Sequence, residues 1–309
     1  MARSQLKSEA RPQVLPAEEV GGLIQRLMGR LVRPARLGFR GAMTIPRFPP
    51  GQDPGPSFTG LLREVGRDPF AAPAGGPQPG FVDRHATTIV AVTYADGVVM
   101  AADRRATAGS SIAQRDVRKL HAADRHSGIA IAGSAGFGLE LIRLFQLQLE
   151  HYEKSEGVAL SLEGKANQLA GMVRQHLGLA MQGFVVVPLF AGYDVRRRAG
   201  RIFTYDPTGG RYEETEFHAD GSGGRDARTT VKLGWTPGMT REGTIELAVQ
   251  ALYEAADEDS ATGGPDAVRG IYPTVATITT DGFTPVEEAE VAERFASLIN
   301  RMTERGARR

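Results

Sequence analysis

With 309 residues, 41% hydrophobic content and a formal charge of +1, the chain is long enough to bury a sizeable core and has no electrostatic bias toward nucleic acid or an anionic membrane. It holds no cysteine, which removes disulfides, thiolate nucleophiles and thiolate metal sites and fits a reducing compartment. MARSQLKSEARPQ at the N-terminus lacks an apolar signal core, and the longest apolar run, FVVVPLFAGY from Phe184 to Tyr193, is too short to span a bilayer; a cytoplasmic protein is expected.

Twelve of the 18 prolines precede residue 87, concentrated in RFPPGQDPGPSF and PFAAPAGGPQPGF, where no helical or strand period survives. Residues 1–86 are therefore expected to be largely extended or disordered, except for a short amphipathic helix over Ala17–Val32 that its double glycine weakens. At Thr87 the texture changes. TTIVAVTY, the turn ADG and VVMAA predict a β-hairpin, and VRKLHAAD with SGIAIAG a second strand pair around DRHS. Two helices follow. In the first, Leu141, Phe145, Leu149 and Tyr152 share a face; in the second, Leu162, Ala166, Leu169, Val173, Leu177 and Ala180 do, with Ser161 as N-cap. FVVVPLFAGYD, GRIFTYD and GRYEETEFHA predict three strands, IELAVQALYEAADED a helix, TVATITTDGF a strand and EEAEVAERFASLINRM a closing helix. This order fits an α+β fold, a four-layer α/β/β/α sandwich with two largely antiparallel sheets, and not an alternating doubly wound sheet.

The chemistry centres on the boundary in DRHATTIVAV. A threonine hydroxyl is a poor nucleophile until a base takes its proton, and the chain offers no G-x-S-x-G elbow and no convincing histidine triad among its six histidines, with His85 and His218 in expected loops. Cleavage just before Thr87 would supply a different base, a free α-amine with a pKa of about 7.7 to 8.0. Hydroxyl and base would then belong to one residue, and the leader would be a propeptide that blocks the amine until it is removed. Read alone, a threonine at a strand start is an ordinary β-former, Asp103 a turn residue and Lys119 a solvated position. Arginine outnumbers lysine 32 to 5, however, so a lysine beside Arg118 asks for its own reason. A compact ammonium near the nucleophile lowers the cost of forming an alkoxide, with Asp103 holding it. GSAGFG lacks the G-x-G-x-x-G spacing, and no Walker lysine occurs, which argues against a nucleotide site.

The motifs TTIVAVTYADGVVMAADRRAT, RKL, AGSAG, GSG and DSATGGPD follow one another along the chain. Through them, from Thr87 to about Ile299, the chain resembles the catalytic β-subunits of actinobacterial 20S proteasomes, a family of N-terminal nucleophile hydrolases. The resemblance implies Thr87 as nucleophile, because Thr88 does not keep the family spacing to Asp103 and Lys119. It implies the backbone N–H of Gly133 as oxyanion donor, and Ser222, Asp259 and Thr262 as the groups that orient the amine; Thr262 stands where the family more often has serine. Substrate would pair with backbone at Thr107 and Ala135, and Ala106, Val117, Ile131 and Leu139 would form an apolar specificity pocket with His121 at its edge. The cleaved bond would join Ala86 to Thr87, and alanine in place of the family's usual glycine would slow self-processing without abolishing it.

By the same resemblance the mature domain runs over 87–309 with a short basic tail. It would assemble as identical β-subunits in heptameric rings stacked on α-subunit rings, fed unfolded or tagged substrates by an ATP-dependent unfoldase. No metal or organic cofactor, no nucleic acid and no membrane is implied. A non-catalytic ring subunit and a free N-terminal nucleophile amidohydrolase are the alternatives.

Overall fold

The structure, a computed structural model, describes residues 53–70, 87–109 and 111–307; the expected helix over Ala17–Val32, His85 and Ala86 lie outside the described residues. In chain order it runs α1 (Phe58–Glu64), β1 (Thr88–Tyr94), β2 (Gly97–Ala102), β3 (Ala106–Ala108), β4 (Ser111–Gln114), β5 (Leu120–Asp124) and β6 (Ser127–Gly133). Then come α2 (Ala135–Glu156), α3 (Leu162–Gln175), α4 (Leu177–Ala180), β7 (Val186–Asp194), β8 (Ala199–Tyr205), β9 (Arg211–Glu214) and β10 (Phe217–Gly221). The chain closes with α5 (Gly224–Gly234), α6 (Arg241–Glu258), β11 (Thr274–Thr279), β12 (Gly282–Pro285) and α7 (Glu288–Ala307).

Two five-stranded antiparallel sheets, ordered β10-β1-β2-β11-β12 and β5-β6-β7-β8-β9, lie face to face. Side-chain alternation along the strands explains the four layers. Ile89 and Ala91 on β1, Val98 and Met100 on β2, Ala130 and Ala132 on β6 and Leu189 and Ala191 on β7 meet between the sheets. The intervening residues face outward, Val90 and Val92 toward α5, α6 and α7, and Ile129, Ile131 and Phe190 toward α2 and α3. A strand covered on both faces reads as an unbroken apolar run, which is why TIVAV shows no polar alternation.

The expected sandwich is present, with differences at its joints. GRYEETEFHA is two strands in different sheets: β9 pairs with β8, and β10 pairs with β1. Its β-forming composition continues through the crossing at Thr215 and Glu216, where the Glu216 carbonyl accepts from both the backbone N–H and the hydroxyl of Thr93. TVATITTDGF folds as a hairpin, β11 turning into β12. The second helix stops at Gln175, where the His176 N–H bonds to the carbonyls of both Met172 and Val173 and tightens the turn before α4. In VRKLHAAD only Leu120–Asp124 is strand. The sequence reading gave no sign of α5 or of the β3–β4 hairpin.

In the Pro-rich stretch ahead of Thr87 that was expected to be extended or disordered, α1 forms one short helix docked on α2. Ser57 caps it, its hydroxyl accepting from the Gly60 N–H at 3.1 Å. The buried Gln148 of α2 does the rest, accepting from the Phe58 and Thr59 N–H groups at 2.8 and 3.3 Å and donating to the Pro56 carbonyl at 2.9 Å. Phe70 packs beside Phe137 and Leu144 on the same helical layer. No helix among the described residues is long and apolar enough to cross a membrane.

Candidate active site

Thr87 stands one residue ahead of β1, 4% exposed, and its carbonyl accepts from the Ser222 N–H at 3.0 Å. Because β1 pairs with both β10 and β2, this end of the strand is held from two sides: Thr88 lies opposite Gly221, and its carbonyl accepts from the Asp103 N–H at 3.0 Å. The apolar run of β2 thus delivers Asp103 next to the start of β1.

Asp103 is fully buried and saturated with donors. One oxygen accepts from the Thr88 N–H at 2.9 Å and the Lys119 ammonium at 2.7 Å, the other from the N–H groups of Arg105 and Gly263 at 3.0 and 2.9 Å. Lys119 also donates to the Arg105 carbonyl at 2.5 Å. Burial lowers the pKa of Lys119 below the ordinary lysine value, while the Asp103 charge opposes the shift. Three backbone N–H groups and one ammonium around a single carboxylate leave that ammonium little freedom.

A small cavity opens beside this pair, and Thr87, Lys119 and Gly133 share its lining with Ala106, Val117, Ile131, Ala135 and Leu139. Gly133 has φ +104°, and a Cβ there would fall 2.2 Å from the Val185 carbonyl oxygen, so only glycine makes this turn from β6 into α2. Of the expected substrate-contact residues, Thr107 lies on β3 outside the lining, and His121 is a correction. His121 lines a separate cavity with Gln146 and Pro285, its ring turned back to the Arg118 carbonyl at 3.1 Å, because β5 is the free edge of its sheet.

On the other side of β1, Ser222 and Thr262 both donate to one oxygen of Asp259, Thr262 at 2.6 Å. Burial pushes the Asp259 carboxyl up, but these hydroxyls and the N–H groups of Ala261 and Thr262 outweigh it and hold its pKa below the usual aspartate value. The Thr88 hydroxyl joins them, 2.6 Å from the Thr262 hydroxyl and accepting from the Gly223 N–H at 3.0 Å. Every candidate site residue from Thr87 onward, apart from Thr107 and His121, thus belongs to one of two clusters that meet at the start of β1, while His218, expected in a loop, lies on β10 opposite Ala91.

The proteasome subunit family matches residues 83–269, beginning four residues before Thr87. The chain belongs to the proteasome subunit family. It is similar to a proteasome subunit beta of Acidimicrobium ferrooxidans, 56% identical over 268 residues, covering 86% of this chain and 97% of the relative. That alignment is longer than the chain from Thr87 onward, so it takes in part of residues 1–86. Within this family site, sequence reasoning missed Arg105, Gly138, Ile142, Gly223 and Gly263, which contribute backbone groups or wall. Only the paired glycines of GSGG and TGGPD gave a signal, since glycines in tandem mark close backbone approach.

Proposed function

We propose that the chain is a catalytic β-type subunit of a proteasome core, a threonine endopeptidase whose Thr87 becomes N-terminal when the bond after Ala86 is cut. The observation that supports this reading is the shared cavity: Thr87, Lys119 and Gly133 converge on one apolar-walled hollow at the compositional boundary of the chain.

The mechanism follows from one residue holding two groups. The freed α-amine takes the proton of the Thr87 hydroxyl, directly or through a water, and the oxygen attacks a substrate carbonyl. Lys119, charged and buried against Asp103, lowers the energy of the developing alkoxide. The Gly133 N–H donates to the oxyanion, an interaction of about 3 kcal/mol when such donors are removed singly. The amine passes its proton to the departing peptide nitrogen, and water then cleaves the threonine ester and restores the hydroxyl. Ser222, Asp259 and Thr262 orient the amine. Ala106, Val117, Ile131 and Leu139 give the cavity an apolar lining that suits hydrophobic residues on the acyl side of the cut bond, with the extended substrate pairing at Thr107 and Ala135.

As a proteasome subunit the chain assembles with other subunits. Heptameric β-rings on α-rings, an ATP-driven unfoldase, tagged substrates and a cytoplasmic location complete the reading, because hydrolysis of unfolded chains is safe only in an enclosed chamber. The first test is intact mass after co-expression with an α-subunit. Mature protein should begin at Thr87, and Thr87→Ala should keep its leader and lose peptide hydrolysis. Processing and turnover that persist in that variant would refute the assignment.

A further inference from the structure

Thr88 was weighed above as the rival nucleophile, and its surroundings give it a different task. Thr87 lines the cavity, whereas the next side chain along the strand points to the opposite face, where both Thr88 and Thr262 are fully buried. A hydroxyl has one proton and two lone pairs. Thr262 gives its proton to the Asp259 carboxylate at 2.6 Å, so the 2.6 Å contact between the two threonines has only one arrangement, with Thr88 donating and Thr262 accepting. The Thr88 oxygen in turn accepts from the Gly223 N–H. Every proton in the series is thereby fixed, running from Gly223 N–H to Thr88, from Thr88 to Thr262 and from Thr262 to Asp259. Gly223 admits no side chain, since a Cβ would lie 2.7 Å from both threonine hydroxyl oxygens.

We propose that Thr88 is a positioning residue: its donated hydrogen bond locks the Thr262 hydroxyl so that Thr262 can offer the freed Thr87 amine only a lone pair. This rests on the proposed reading of Thr87 as nucleophile and of Thr262 as a group that orients its amine. An amine that donates N–H into a fixed acceptor keeps its own lone pair directed elsewhere, available for the hydroxyl proton of the same residue. A Thr262 relieved of the Thr88 bond, its own proton still on Asp259, would present a second lone pair to the ammonium form, hold that proton more tightly and leave less of the amine free to act as base. Thr88 acts through Thr262 and touches neither substrate nor the reacting atoms.

The test uses the assembled particle with Thr88→Val, which keeps the shape and deletes the hydroxyl, and Thr88→Ser, which restores it. Loss of one buried hydrogen bond corresponds to about a 3- to 10-fold change. Thr88→Val is expected to lower kcat by that factor at unchanged KM. It should also move the acid limb of the pH profile to higher pH, because Thr262 regains a second lone pair for the ammonium form; Asp103, Lys119, Arg105 and Asp259, the charged groups around the site, stay in place. Thr88→Ser should recover most of the rate and the original limb. In a Thr262→Val background, adding Thr88→Val should cost less than it does alone, since the two act in series. Should Thr88→Val fail to assemble, Thr88→Cys, a weaker donor of similar shape, must show the same two changes at smaller size. Unchanged kcat and pH profile in the Val variant, or in the Cys variant if that is the one that assembles, overturns the proposal. A Thr87→Ala particle that still cleaves peptide overturns both readings, whereas an inert Thr87→Ala beside an unaltered Thr88 variant overturns this one alone.

Discussion

Lys119 shows how burial and partner act on one group. Desolvation lowers its pKa and Asp103 raises it, with desolvation the larger, so the ammonium releases its proton below the free-lysine value of 10.5. The proposed chemistry needs a neutral amine together with a charged Lys119. Hydrolysis of a hydrophobic peptide should therefore rise with pH through the amine range, about 7.7 to 8.0 for a free terminus, and fall again before pH 10.5. The alkaline fall is separable from unfolding. Between the folded pKa and 10.5 the unfolded chain binds this proton more tightly, so the group's contribution to stability rises with pH while the rate declines. A rate that holds steady past pH 10.5 would remove the ammonium from the mechanism. At this scale much of the site was legible, because Thr87, Asp103 and Lys119 each break a local pattern: a compositional boundary, a polar end to an apolar run, a rare lysine. His121 was misplaced since strand spacing alone does not show that β5 is an edge. The backbone donors of Arg105 and Gly263 were invisible, because any residue carries an N–H and only the fold aims it.

Elements were legible where their period was long and lost where tertiary contacts define them. Helix α1 has seven residues, too few to display a hydrophobic face, and two of its unpaired N–H groups are satisfied by a side chain ninety positions away. Replacing Gln148 with leucine would leave the Phe58 and Thr59 N–H groups and the Pro56 carbonyl without that partner. Each buried group left unpaired costs about 1–3 kcal/mol, so amide exchange over α1 in the uncleaved chain should speed up by at least tenfold. Unchanged protection there would mean that Ser57 and the Phe70 contact suffice. The splitting of GRYEETEFHA has the opposite cause: its sequence is uniformly strand-like, and the change of sheet is imposed by what each half pairs with. Ser222 follows directly from the second half, so the crossing is what brings the Ser222 N–H to the Thr87 carbonyl.

For the molecule as a whole, the two sheets divide the labour. One carries Thr87, Asp103 and Ser222 at the ends of its strands, while the other contributes Gly133 and, just before its edge strand, Lys119. The site exists only while the layers stay in register. Phe190 anchors the second sheet to its helices, fully buried with Phe145 edge-on at 5.7 Å and Phe203 at 6.1 Å. Phe190→Ala should cost about 3–5 kcal/mol, read as a lowered urea midpoint of the subunit, and should depress hydrolysis although no catalytic group is altered. Full stability in that variant would place the anchoring elsewhere. The layer order was readable because strands buried on both faces leave long apolar runs. Which sheet each strand joins was not, because pairing is a choice among partners of similar composition.

The docked leader has a consequence in time. A helix of seven residues is far below the length at which isolated helices persist in water, so α1 is ordered only as a guest of Gln148 and its neighbours. If the bond after Ala86 is cut as proposed, the tether that kept this guest at high local concentration goes with it, and rebinding must recover the entropy of ordering it afresh. The proposed maturation would then act as a ratchet, the covalent cut making departure easy and return improbable.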